Sequence, residues 1–219
     1  MVLSSSIHLI DRAWRRIVDI PKRGLPILRL EPAHTSFDQE YGVETSKLVW
    51  LTNVSSRNYV HGIRYEACSP VACQWAIEAA GIDYEDYWFM DIGCGKGRPL
   101  LIASRYAFPR LIGIDYSARL CEKAKHNLGI LHIPEERFEI VCCDATDFKF
   151  PEHDLFAYFH NPFDPTILAV VLEHIKMAPN RLIIAYEGPS RAELSRYDWL
   201  TPLAHGPNVD LYQRGSKQG

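Results

Sequence analysis

From residue 69 onward, short apolar runs alternate with stretches whose apolar positions recur every three to four residues, as strands and helices do when they follow one another. Ser69-Pro70 sets an N-cap before a proline at the first helical position, and the helix it opens runs through Trp75 and Ile77 toward Gly81. Residues 87–90 predict a buried strand ending at Asp91, followed by a glycine-rich turn and an apolar helix over 100–106. A second strand over 111–114 again ends in an acid, Asp115. Ser117 then caps a helix to about Leu128, with Gly129 as its stop. Residues 138–142 predict a third strand that closes at Asp144, and 155–159 a fourth that closes at His160-Asn161-Pro162-Phe163. Pro165 opens a helix through Met177, and 181–186 form a fifth strand. Beyond it the pattern weakens to a helix over 190–199 and a last strand over 209–213. Alternation of this kind builds an α/β domain around a mostly parallel sheet.

Residues 1–60 stand outside the alternation. Ile7, Ile10, Trp14, Ile17 and Val18 share one helical face, and Pro21, Gly24, Pro26 and Pro32 then interrupt regular structure. This stretch reads as a helix and loop extension, a lid or substrate contact, packed on a main domain over 61–219. Tyr41, Tyr59 and Tyr65 are its candidates for a lid or substrate wall. Charge sharpens the division: residues 1–30 carry +4 while the whole chain carries −3, so the remainder is acidic at −7. A basic arm of this kind permits an acidic partner. Without interleaved aromatic and basic positions, however, nucleic acid is not the expected one.

At 219 residues, 47% of them apolar and 23% charged, the composition excludes a disordered or fibrous chain. No apolar run reaches the roughly 18 residues of a membrane span, and the first ten residues lack the features of a secretory signal. The expected location is cytoplasmic, with Cys68, Cys73, Cys94, Cys121, Cys142 and Cys143 as reduced thiols. Their spacing fits no common zinc ribbon, so no metal is expected.

The segment richest in chemistry is Asp91-Ile92-Gly93-Cys94-Gly95-Lys96-Gly97-Arg98, set between a strand and a helix. Glycines there let the backbone turn sharply and approach a ligand closely. A dinucleotide loop has the form G-x-G-x-x-G/A, but here the third position is Arg98 and the spacing is G-x-G-x-G. A carboxylate two residues before the first glycine gains nothing from a phosphate. It suits the ammonium of an amino-acid tail, as in S-adenosylmethionine. Asp115 is placed to accept both ribose hydroxyls, and Asp144 the adenine amino group, with the Ala145 amide on the ring. All three acids end neighbouring strands, where open α/β sheets bind ligands.

With these residues in view, Asp91 to Gly97, Gly113-Ile114-Asp115 and Cys143-Asp144-Ala145 resemble the first three motifs of the class I S-adenosylmethionine-dependent methyltransferases. The resemblance covers about residues 66–190. It implies a doubly wound, Rossmann-like sheet of seven mostly parallel strands with helices on both faces. It also implies cofactor-binding roles for Asp91, Gly93, Gly95, Gly97, Asp115 and Asp144. Asn161-Pro162-Phe163 is similar to the Asn/Asp-Pro-Pro-aromatic motif of methyltransferases acting on nitrogen, without the second proline. It implies that Asn161 and Phe163 orient the acceptor. The stretch Arg64-Tyr65-Glu66-Ala67-Cys68-Ser69 is similar to the Tyr-Gly-Glu-x-Ser segment of the non-SET lysine methyltransferases, without its glycine, and adds Glu66 to the cofactor set. The whole most resembles small methyltransferases with an Asp-x-Gly-x-Gly-Lys-Gly-Arg loop and an Asn-Pro-Phe motif. His160 borders the transfer site.

The expectation is an S-adenosylmethionine-dependent methyltransferase acting on a small amine or a protein side chain such as lysine. The rivals are a non-catalytic binder of the same cofactor, an O- or C-methyltransferase of small molecules, and a nicotinamide-dependent oxidoreductase, which Arg98 and the glycine spacing disfavour.

Overall fold

The computed structural model describes residues 33–47, 49–50, 64–177 and 181–215. The amphipathic face over 7–18 and Tyr59 lie outside the described residues.

Helix α1 (Ala33–Tyr41) precedes a two-stranded antiparallel ribbon of β1 (Val49–Trp50) and β2 (Arg64–Tyr65). The alternating domain begins with α2 (Pro70–Ala79). Ser69 caps it by accepting a hydrogen bond from the Ala72 amide, and Pro70 fills its first turn. In chain order follow β3 (Trp88–Ile92), α3 (Arg98–Ala103), β4 (Leu111–Asp115), α4 (Ala118–Ile130), β5 (Phe138–Cys142), β6 (Leu155–His160), α5 (Pro165–Met177), β7 (Leu182–Glu187), β8 (Leu200–His205) and β9 (Val209–Arg214).

The seven strands from β3 to β9 form one sheet in the order β5-β4-β3-β6-β7-β9-β8. The five from β5 to β7 run parallel, and β9 lies antiparallel between β7 and β8. Strands β4 and β7 are buried along their full length, as strands covered on both faces must be. One face packs Phe89, Phe108 and Phe156 against α2, α3 and α4, while the other packs Met90, Phe159 and Tyr186 against α5. The order reverses between β3 and β6. This is the crevice where an open α/β sheet receives ligands at the carboxyl ends of its strands.

Three expectations are corrected. The helix over 190–199 is instead a 3-10 segment, Pro189–Arg196, followed by the strand β8. Strand β8 is a sheet edge with one fully buried residue, Leu200, and it carries Pro202, whose missing amide an edge tolerates. Its weak alternation is what an edge position produces. The fourth helix passes its expected stop: exposed Gly129 is helical, and the left-handed residue is His132 at φ +52°. Buried Asn127 and Leu128 hold this last turn against the sheet. Ser117 occupies the N-cap position of α4, but its side chain makes no capping bond.

Candidate active site at the carboxyl ends of the strands

The loop after β3 is shaped by its own backbone. Gly93, Gly95 and Gly97 have φ of +81°, +52° and +81°, a region that residues with a Cβ rarely adopt. The Gly93 and Cys94 amides donate to the Ile114 carbonyl at 2.9 and 2.8 Å, and the Gly97 amide donates to the Cys94 carbonyl at 2.8 Å. Space is as restrictive as torsion. A Cβ on Gly93 would lie 2.4 Å from Cβ of Pro162, and one on Gly95 would lie 2.1 Å from the Tyr65 ring. The loop is therefore flanked by the turn after β6 on one side and by β2 on the other.

Two of the expected acids are buried at this edge. Asp91 is 1% exposed, and its Oδ2 has no hydrogen-bond partner among the described residues. Burial, and then the nearby Asp115 carboxylate, push its carboxyl well above the usual range. Asp115 is 7% exposed and accepts the Gly95 amide at 2.9 Å and the Ser117 amide at 2.8 Å. Burial raises it to about 6 even though both amides pull the other way. Asp144 closes a turn through Thr146, whose amide and hydroxyl donate to it at 3.0 and 2.7 Å, and Ala145 beside it is buried. Sequence reasoning missed Tyr116. Its phenolic oxygen is buried without a partner among the described residues, and burial followed by the Asp115 and Asp144 charges raises it to about 12.

The two basic residues of the loop anchor an earlier part of the chain. Lys96 donates to Glu44 Oε1 and to the Lys47 carbonyl, both at 2.8 Å. Arg98, 1% exposed, donates to Thr45 Oγ1 at 2.7 Å, the Cys68 carbonyl at 2.8 Å and Ser46 Oγ at 2.7 Å, with Asp38 at 3.5 Å. Asp38 in turn accepts the Thr45 and Ser46 amides. Burial opposes its charge, but the hydrogen bonds outweigh burial and hold its carboxyl below the usual range. Asn127 on α4 clasps the same segment, donating to the Glu44 and Lys96 carbonyls at 3.1 and 3.0 Å. Tyr65 completes the arrangement: it lies over Gly95 and donates to the Thr45 carbonyl at 2.6 Å. Residues 38–47 are thus fastened to the glycine loop. A Lys or Arg with a Gly neighbour signals nothing of the kind, because the partners lie some fifty residues away.

Across the crevice, Asn161 follows β6 in the left-handed region at φ +41°. Its side chain is exposed, and its Oδ1 accepts the Tyr186 hydroxyl at 3.3 Å. Pro162 rests on Gly93, and half-buried Phe163 packs on the α5 side. The same edge holds buried Glu187, which accepts the Ser69 amide at 3.1 Å and the Tyr158 hydroxyl. Glu66 is exposed, whereas its neighbour Tyr65 is the residue in contact with the loop. The structure therefore brings Asp91, the three glycines, Asp115 and the 161–163 turn to one edge.

A glycine-lined backbone beside a buried carboxylate oxygen with no partner fits a ligand that brings a cation and an extended face to the loop. The comparisons with known proteins agree. Residues 90–185 match the methyltransferase domain family. No curated protein matches the chain at the sequence level. Among solved structures, yhhF of Escherichia coli, assigned as a methyltransferase, is similar at TM-score 0.54 and 18% identity over 70% of this chain and 90% of that one. The magnesium protoporphyrin IX methyltransferase of Synechocystis PCC 6803, with bound S-adenosylmethionine, follows at TM-score 0.52 and 13% identity, covering 66% of this chain and 77% of its own. The ribosomal protein L11 methylase of Lactobacillus delbrueckii subsp. bulgaricus has TM-score 0.52, 14% identity and the same coverage. The β5-β4-β3-β6-β7-β9-β8 sheet thus has the fold of these methyltransferase structures, and residues 90–185 within it carry the match to the methyltransferase domain family.

Proposed function

We propose that the chain is an S-adenosylmethionine-dependent methyltransferase and that the methyl group goes to a nitrogen, on a small amine or on a protein side chain such as lysine. The observation that carries this reading is the turn after β6. Asn161 sits at φ +41° with an exposed amide, one residue from the proline that packs on Gly93. An amide at this position can accept a hydrogen bond from the incoming nitrogen and turn its lone pair toward the cofactor loop, a contribution of orientation rather than of proton chemistry. Phe163 supplies an apolar wall. The names of the neighbours cover a porphyrin and a ribosomal protein, so the choice of nitrogen rests on this turn.

In this reading Asp91 receives the ammonium of the cofactor's amino-acid tail, and Gly93, Gly95 and Gly97 lie along its methionine and ribose. Asp115 accepts the ribose hydroxyls, Asp144 and the Ala145 amide meet the adenine, and Glu66 borders the methionine end. When bound, S-adenosylmethionine supplies an electrophilic methyl carbon on a sulfonium: the nitrogen–carbon bond forms as the carbon–sulfur bond breaks, its electron pair staying on sulfur. The protein's part is to hold and aim the two reactants.

The test is calorimetric titration with S-adenosylhomocysteine against an NAD control, followed by an acceptor screen of amines and lysine-bearing proteins. Binding of the former alone, transfer to an amine, and a ten- to hundredfold lower turnover in Asn161→Ala with unchanged affinity for S-adenosylhomocysteine are the expected results. Transfer to a hydroxyl or carbon acceptor, or full turnover in Asn161→Ala, would overturn the assignment. Binding without any turnover would favour a non-catalytic cofactor binder.

A further inference from the structure

An amine that is to be methylated meets a difficulty that orientation does not remove. Alkyl amines are protonated near neutral pH, like the lysine side chain at about 10.4, and an ammonium has no lone pair to donate. A proton acceptor is needed beside the acceptor nitrogen.

Strand alternation shows which side chains share the sheet face above the cofactor loop. Phe89, Phe156, Tyr158 and Ala185 belong to the core on the α2 and α3 side, whereas Met90, Phe159 and Tyr186 belong to the other. By the same alternation Asp91, His160 and Glu187 project onto the α2 and α3 side. They do so at the carboxyl ends of three adjacent strands, with His160 directly opposite Glu187 in register. Glu187 is buried and committed to the Ser69 amide and the Tyr158 hydroxyl. His160 differs from its neighbours. Its ring is half-buried, and none of the described residues makes a hydrogen bond or ion pair with it. It immediately precedes Asn161, and Pro162 beyond it rests on Gly93.

We infer that His160 is the proton acceptor of the methyl-transfer reaction, an inference that rests on the nitrogen reading above. A ring nitrogen of His160 takes the proton from the acceptor ammonium, which leaves the free amine with its lone pair for the cofactor methyl. The imidazolium then returns the proton to solvent once product has left. Imidazole suits this work because its ordinary titration falls between pH 5 and 8. By strand register the ionisable groups on its face of the sheet are Glu187 on β7, directly opposite it, Tyr158 two residues back on β6, and Asp91 on β3, which pairs with Tyr158.

The test uses the difference of one charge between S-adenosylmethionine, a sulfonium, and S-adenosylhomocysteine, a neutral thioether. The protein is labelled with 13C at its histidine rings and titrated by NMR in both complexes, and the His160 signal is assigned by its disappearance in His160→Gln. A ring that meets the acceptor nitrogen lies close to the sulfonium. Its midpoint is therefore expected to be lower with S-adenosylmethionine than with S-adenosylhomocysteine by roughly half to one pH unit, a three- to tenfold weaker hold on the proton. Affinity for S-adenosylhomocysteine should stay within about twofold in His160→Gln, since the residue holds no part of that ligand. Identical His160 midpoints in the two complexes would place the ring away from the sulfonium and overturn the inference while leaving the nitrogen reading intact. Failure of both ligands to bind would overturn the reading itself, and this inference with it. With the amine that the acceptor screen identifies, His160→Gln should lose most turnover near pH 6.5 and recover as the pH rises toward the amine's own range. A deficit equal at every pH would make the ring a wall of the site rather than its base.

Discussion

Two turns face each other across the crevice, and they are built in different ways. The turn after β3 is held from every side: three glycines at positive φ, amides bonded to the Ile114 carbonyl and the Asp115 carboxylate, and two basic side chains fastened to residues 38–47. The turn after β6 has one residue in the left-handed region, Asn161, whose side chain is exposed and, among the described residues, held by a single 3.3 Å bond from Tyr186. The difference matches what each turn would recognise under the proposed function. A cofactor common to a whole family calls for a rigid backbone cradle, because preorganisation lowers the entropy lost on binding. An acceptor that changes from one family member to the next is met by a few exposed side chains on a lightly held turn.

If this contrast is right, the largest effects come from the first turn. Arg98→Ala removes a buried guanidinium that ties Asp38, Thr45, Ser46 and Cys68 together. The expected loss is about 3–5 kcal/mol of stability, read from urea unfolding, as when one partner of a buried ion pair is deleted. Weaker S-adenosylhomocysteine binding should accompany it. Next comes Gly95→Ala, whose methyl would meet the Tyr65 ring at 2.1 Å from a backbone at φ +52°. Strain and overpacking together cost about 2–4 kcal/mol, which thermal unfolding would register. A loss below 1 kcal/mol would show that the cradle is looser than described.

Asp115→Asn probes binding and pH together. Loss of the charged acceptor should weaken S-adenosylhomocysteine by about 1.5–3 kcal/mol, roughly ten- to a hundredfold in Kd. Burial raises the Asp115 carboxyl from 3.8 to about 6, so the folded chain keeps a proton that the unfolded chain has already released. Its stabilising contribution is therefore full below 3.8 and falls as pH rises to about 6, by on the order of 3 kcal/mol in the free protein. Under the proposed role of Asp115 as ribose acceptor, the same ionisation strengthens binding, so affinity should rise through that window. Unfolding and titration at pH 4.5 and 7 would show both changes in the wild type and smaller ones in Asp115→Asn, where only the Asp115 part is removed.

The smallest expected effect lies in the second turn. Gly188 has φ +133°, and a Cβ there would fall 2.8 Å from that of Asn161. Gly188→Ala should cost about 1–2 kcal/mol of stability and displace Asn161, lowering turnover three- to tenfold while leaving S-adenosylhomocysteine affinity unchanged. An equal loss of affinity would mean that the two turns are not separable.

Much of the fold was legible because the strands buried on both faces, β4 and β7 among them, are uninterrupted apolar runs, and α5 opens at a proline that marks its first turn. The edge strand β8 was not, because an edge needs only one buried residue and admits Pro202. The end of α4 was misread at Gly129 because the packing of Asn127 and Leu128, rather than local propensity, decides how far that helix runs. At the site, the acids at strand ends and the glycine spacing could be read directly. Arg98 could be read only as a residue too large for a dinucleotide loop, and its part as an anchor depends on Asp38 and Thr45, far away in the chain.

The sequence by itself determined what depends on neighbours along the chain: which segments become strands, where acids end them, and where backbone freedom is needed for a turn. Only the tertiary structure decided which turns meet. It set Pro162 on Gly93, Tyr65 on Gly95 and His160 opposite Glu187. The physical reason is that such contacts are created by the order of strands in the sheet. That order is chosen by the burial of whole faces, and no local pattern of residues encodes it.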